Sequence, residues 1–101
     1  MKLVIVTAVQ EFHKQVIHLF NEAQIESFSE SDIDGYKNNN PIFLSSNWFA
    51  AEKTGNESTM IFSFTEDQKI DELFRLIGIF NEKLETNNPL RAVVVPIEKY
   101  I

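Results

Sequence analysis

The chain has no cysteine in its 101 residues. A disulfide framework, a thiolate zinc site and thiol catalysis are therefore excluded. The absence fits a reducing compartment, and a cytoplasmic location is expected. Glycine and proline are scarce, at three each. Gly35, Gly55 and Gly78 are too scattered to form a dinucleotide fingerprint or a phosphate-binding Walker loop. Gly35 fits a tight bend, and Gly78 reads as a close-packing site inside a helix. Long hydrophobic runs are also missing. The apolar stretch at residues 3–6 is far shorter than a signal-peptide core or a membrane span, so no direct membrane insertion is expected. Basic residues are few: nine Lys and Arg stand against fifteen Asp and Glu, a net charge of -6. Such a surface repels a phosphate backbone, and no nucleic-acid partner is expected.

What is present is an ordinary globular composition. Apolar residues make up 44% of the chain, and phenylalanine is frequent at nine. The length predicts one domain spanning residues 1–101. Residues 3–9 form a short continuous apolar run, the pattern of a buried strand. From Gln10 the period changes. Phe12, Val16, Leu19, Phe20 and Ala23 recur at helical spacing, predicting a helix over 10–24. Residues 27–36 alternate weakly, with Phe28, Glu30, Asp32 and Asp34 on one face. Position after the helix predicts a second strand there.

A long segment, 37–57, opens with the turn formers Asn38, Asn39, Asn40 and Pro41 and closes around Thr54, Gly55 and Asn56. Between them lies an apolar insert that includes Phe43, Trp48 and Phe49. Loops of this length inside a compact domain are uncommon and often functional. Residues 59–64 alternate as a third strand. Thr65, three residues before Gln68, has the spacing of a capping box. Ile70, Leu73, Phe74, Ile77, Phe80 and Leu84 then predict a second helix, with acids in its first turns suited to the helix dipole. Residues 90–95 read as a last buried strand, closed by Pro96.

The predicted class is therefore α+β: a ferredoxin-like βαββαβ sandwich. Two helices cover one face of a four-stranded antiparallel sheet, and a long loop joins strands 2 and 3. Phe28, Met60, Phe62, Phe64 and the last strand supply more apolar side chains than one face needs. The second face is expected to pack on another subunit.

Few residues suggest chemistry. His13 and His18 lie five apart on one helix and point about 140° away from each other, so they cannot chelate one metal together. They read as two solvated surface histidines, or as ligands completed across subunits. Glu30, Asp32 and Asp34 line one strand face, as a solvated face or as acid–base or cation-binding groups. Ser27, Ser29, Ser31, Ser45 and Ser46 have no plausible base beside them in sequence, and a nucleophilic enzyme is not supported. Trp48 and Phe49 are either folded onto their own domain or offered to a partner. Lys37, Lys53 and Arg91 are the cations near these segments that could meet an anion.

The stretch Asp32-Ile33-Asp34-Gly35-Tyr36-Lys37 resembles the end of the second strand in PII-type signal-transduction proteins. There a short polar strand reaches a glycine and enters a long mobile loop. The closing stretch Leu90-Arg91-Ala92-Val93-Val94-Val95-Pro96-Ile97-Glu98, with Met60-Ile61-Phe62, is similar to a compact PII-like subgroup, some of it associated with heavy-metal efflux systems. The resemblance covers almost the whole chain. It implies a homotrimer with sheets facing inward and a small-effector site in the clefts between subunits. It also implies a loop that contacts a membrane transporter or an enzyme, through Phe43, Trp48, Phe49 and Lys53 here. Gly35, Tyr36, Lys37 and Arg91 fall at the ligand-binding positions.

The chain departs from typical PII proteins at Asn88-Pro89-Leu90-Arg91. A glycine-rich loop there would cradle nucleotide phosphates with backbone amides. Proline removes an amide, and no glycine remains. Adenine nucleotide stays a candidate effector without that phosphate loop, and any metal ligands stay unassigned. The leading expectation is a non-enzymatic regulatory protein. The alternatives are a metal-responsive trimer of the same fold and a small enzyme on a ferredoxin-like dimer. The last lacks both a recognisable buried histidine and an anion loop followed by arginine.

Overall fold

The computed structural model describes residues 1–36, 56–84 and 87–101. Its elements run β1 (Lys2–Val9), a 3-10 turn (Gln10–Phe12), α1 (His13–Glu22), β2 (Ser29–Gly35), β3 (Asn56–Thr65), α2 (Asp67–Lys83) and β4 (Arg91–Pro96). The strands form one sheet in the order β2-β3-β1-β4. Every neighbouring pair is antiparallel. This is the predicted α+β architecture.

Strand alternation decides which residues meet the helices. Val4, Val6 and Ala8 of β1 and Ile61 of β3 are buried on one face. Val16, Leu19 and Phe20 of α1 close over them, with Ile70, Leu73 and Ile77 of α2. Each helix supplies residues three or four apart, so one apolar stripe per helix seals the layer. Burying one such side chain is worth about 1.5–3 kcal/mol. Phe12 and Phe80 join the two helices edge to face, with ring centroids 5.8 Å apart.

The end of α1 is held by backbone bonds. The Ile25 amide donates to the Phe20 carbonyl and the Gln24 amide to the Asn21 carbonyl, both at 3.0 Å. This double bond pattern is a Schellman cap. Its left-handed position falls on Gln24, at φ 62°, where glycine is the common choice. Ile25 and Phe20 are both buried, which supplies the apolar contact that accompanies such caps.

Several sequence expectations need correction. The first helix begins as a 3-10 turn, and regular α-helix starts only at His13. The third strand starts at Asn56, so the long connection is shorter than 37–57. Gly35 pairs with Asn56 and Asp34 with Glu57, and this pairing carries β3 beyond the turn formers. The Thr65 capping box does not form. Thr65 stays in β3 opposite Lys2, and the extended Glu66 takes the cap position without a side-chain bond. Asp67, in the first turn of α2, instead meets Lys2 Nζ at 2.9 Å.

Phe28 counts among the apolar side chains that exceed the needs of one sheet face, but it does not belong to the second face. It packs into the helix-side core, with its ring 5.0 Å from that of Phe20. The reason is parity, because Phe28 is two residues from Glu30, which faces that side. Gly78 is not a close-packing site. It is exposed, and a Cβ built there would meet nothing within 4 Å.

Candidate functional site

The strand directions place four chain segments at one end of the sheet: the end of β1, the end of β2 and the starts of β3 and β4. A groove of about 320 Å³ opens there, lined by Gln10, Asp32, Ile33, Asp34, Glu57 and Ser58. Its charge is negative. Asp34 stands directly opposite Glu57, and Asp32 opposite Thr59. Like charges facing across a strand pair repel. Gln10 Nε2 donates to Asp32 Oδ1 at 3.5 Å, a long bond. One step back along the strand, His13 Nε2 contacts the Glu30 carboxylate. The three strand acids thus share one sheet face, as alternation predicted, and that face is the one turned toward α1.

Small polar residues fit β3 closely against β2. Thr59 and Ser63 are buried in the helix-side layer. Ser63 Oγ donates to the Ser27 carbonyl at 2.6 Å, and Thr59 Oγ1 to the Ser31 carbonyl at 3.5 Å. Among the described residues no buried side-chain polar atom lacks a partner.

The expected ligand residues divide between the two sheet edges. Gly35 is buried at the end of β2, and Tyr36, next to it, is 62% exposed. Arg91 is exposed at the start of β4, opposite Thr7 of β1. β2 and β4 are the outer strands, three strand spacings apart, or about 14 Å. One copy of the chain therefore brings Gly35 and Tyr36 together but leaves Arg91 at the far edge. Lys37 lies outside the described residues, as do Phe43, Trp48, Phe49 and Lys53.

Arg91 owes its place to a residue that the sequence pattern did not single out. Asn81 of α2 makes two bonds to Leu90. Its Nδ2 donates to the Leu90 carbonyl at 3.0 Å, and its Oδ1 accepts from the Leu90 amide at 2.9 Å. The side-chain amide mimics a strand neighbour and fixes where β4 begins. An asparagine at a helix end followed by an Asn-Pro turn is too common a signal to reveal this.

The histidines occupy separate neighbourhoods. His13 meets Glu30 across elements, whereas His18 contacts Glu22 one turn along α1. Among the described residues no three His, Asp or Glu side chains are grouped to hold a metal ion.

The second sheet face is not covered by the helices. Leu3, Ile5, Phe62, Phe64, Val93 and Val95 share it by register. Phe64 is 56% exposed and Val95 39%, at the end away from the groove. Phe62 and Phe64 meet edge to face, with ring centroids 6.3 Å apart. Toward the groove end the same face is closed, since Thr7, Val9 and Ser58 are all buried.

No family model matches the sequence, and no curated protein matches it. Solved structures do. A DUF3240 family protein of Shewanella baltica OS155 superposes with a TM-score of 0.67 at 14% identity, covering 98% of this chain and 91% of its own. CPII of Thiomonas intermedia K12, a nitrogen regulatory PII-like protein bound to ADP, AMP and bicarbonate, superposes with a TM-score of 0.64 at 10% identity. That match covers 99% of this chain and 94% of CPII. The chain has the PII-like fold. At these identities the likeness concerns the path of the backbone, and the PII-like fold by itself names no ligand. No helix among the described residues is long and apolar enough to cross a membrane.

Proposed function

We propose that this chain is a PII-like regulatory protein, one domain over residues 1–101, that acts in the cytoplasm and catalyses no reaction. Three copies pack their uncovered sheet faces together. A small effector binds in the clefts between copies, and segment 37–57 passes its state to a membrane transporter or an enzyme. The observation that carries this reading is the bare apolar face of Leu3, Ile5, Phe62, Phe64, Val93 and Val95. Contiguous apolar surface of this kind marks a contact surface.

The split site supports the same reading. Gly35 and Tyr36 lie at one edge and Arg91 at the other, so only a neighbouring copy can complete a set that contains all three. A ring of copies joined by unlike surfaces brings opposite edges together. The effector classes to try first are those named for CPII: adenine nucleotides and bicarbonate. The acidic groove and Pro89 argue against a phosphate cradle of the glycine-rich kind, which favours AMP or bicarbonate over more highly charged nucleotides.

Native mass spectrometry with ADP, AMP and bicarbonate tests the proposal. A three-copy assembly taking up to one ligand per copy is expected. A single-copy species at micromolar concentration would remove the binding cleft and the proposal with it. A trimer that ignores all three ligands would retain the assembly and overturn this choice of effector.

A further inference from the structure

The outer strand β2 is largely open to solvent. Its residues 29–34 are exposed or half-buried, and only Gly35 is buried. Among the described residues it pairs on one side only, with β3. Its three acids repel one another and Glu57, so the strand carries a standing electrostatic load at the end where segment 37–55 begins. From the helix layer two side chains reach it: Gln10 through its long bond to Asp32, and His13 through its contact with Glu30.

We infer that His13 and Glu30 form a proton-controlled latch that holds the outer strand β2 against the start of α1. The imidazole side chain of His13 is 32% exposed and the Glu30 carboxyl 47%. Both are within reach of solvent protons, yet neither is fully surrounded by water. Histidine is the side chain whose charge ordinarily changes between about pH 5 and 8. A charged imidazole donates a charge-assisted bond to Glu30, roughly twice as strong as a neutral one. It also places a positive charge beside the acid row.

The ionisable neighbours reinforce that sign. β2 presents Glu30, Asp32 and Asp34, and β3 presents Glu57. The 3-10 turn adds Glu11 and α1 adds Lys14, while the last turn of α2, joined to this region through Phe80 and Phe12, carries Glu82 and Lys83. Acids outnumber bases around the latch, so protonation relieves repulsion as well as strengthening the bond. The latch closes as pH falls and loosens as pH rises. Segment 37–55 departs from the end of this strand, so the latch gives the strand before it a tight and a loose state.

Hydrogen exchange of the whole protein tests this between about pH 5.5 and about pH 8. Rates in β2 are corrected for intrinsic exchange and referred to β1 amides in the same sample. The expected result is about three- to fivefold greater protection of β2 at the lower pH, the scale of a partly exposed ion pair. His13→Gln and Glu30→Gln each abolish the difference and leave β1 protection unchanged. His13→Lys keeps β2 protected at both pH values, because its charge persists. A pH dependence that survives in His13→Gln and Glu30→Gln would overturn the inference, as would pH-independent β2 protection in the unaltered protein.

Discussion

The two faces of one sheet teach the most about this molecule. In β1, Val4, Val6 and Ala8 turn toward the helices and are buried, while Leu3 and Ile5, from the same apolar run, turn away and are only half-buried. In β3, Ile61 is fully buried while its neighbours Phe62 and Phe64 are not. Both faces are written in the same alphabet, yet among the described residues only one is sealed along its length by the helices. The covered face explains why the chain folds. The other face keeps side chains such as Phe64 and Val95 partly exposed, and the proposed assembly rests on that exposure.

Matched phenylalanines sharpen this comparison. Phe20, in the helix-side core, is fully buried. Phe20→Ala leaves a cavity and should lower unfolding free energy by about 3–5 kcal/mol in urea titrations. Phe64 sits on the uncovered face, and Phe64→Asp should leave helix content intact while weakening self-association. The expected loss is about 2 kcal/mol or more, or about thirtyfold in the association constant, measured by sedimentation equilibrium. If Phe64→Asp instead unfolds the chain, or Phe20→Ala only dissociates it, the two faces have been assigned the wrong roles.

Much of this division was legible beforehand. Hydrophobic period gave most elements their type, because period 2 and period 3.6 differ plainly in runs such as 59–64 and 70–84, whereas the weakly alternating β2 follows from its position after the first helix. Parity was harder. A one-residue shift in strand phase exchanges the faces, and nothing local fixes the phase. Phe28 is accordingly counted with Met60, Phe62 and Phe64 in the apolar surplus, although it packs on Phe20. The same limit hid the meeting of Glu30 with His13, which are 17 residues apart and joined only by the fold. The sequence offers Gly35, Tyr36 and Arg91 as candidate ligand positions, but it could not show that Arg91 lies at the edge opposite the other two. The contribution of Asn81 depends on a tertiary contact with Leu90 that has no local signature.

Backbone-level changes away from both faces probe the helix layer alone. Gln24 holds a left-handed cap position, so Gln24→Gly should stabilise the chain by about 0.5–1 kcal/mol. Gly78 is exposed within α2 with open space around it, and Gly78→Ala should add about 0.4–1 kcal/mol. Both are read from thermal or urea unfolding, and neither should change the association constant. A shift in association from either would show that the helix layer contributes to the contact.

The smallest expected effect is on pH response. The Arg75 guanidinium beside Glu72 holds its carboxyl below the ordinary range. The sign follows from linkage. The stabilisation is present above the carboxyl's unfolded pKa and is lost as pH falls through the lowered folded value. The pair is exposed on the helix surface, so the stability change is slight. Arg75→Ala should move the Glu72 titration, followed by carbon NMR, upward toward an ordinary glutamate. An unmoved titration would show that the pair does not persist in solution.

Sedimentation velocity of the unaltered protein at micromolar concentration tests the central claim most directly. The proposed PII-like reading predicts a single species of three copies. A single-copy species, with Phe64 and its neighbours left in water, would contradict it.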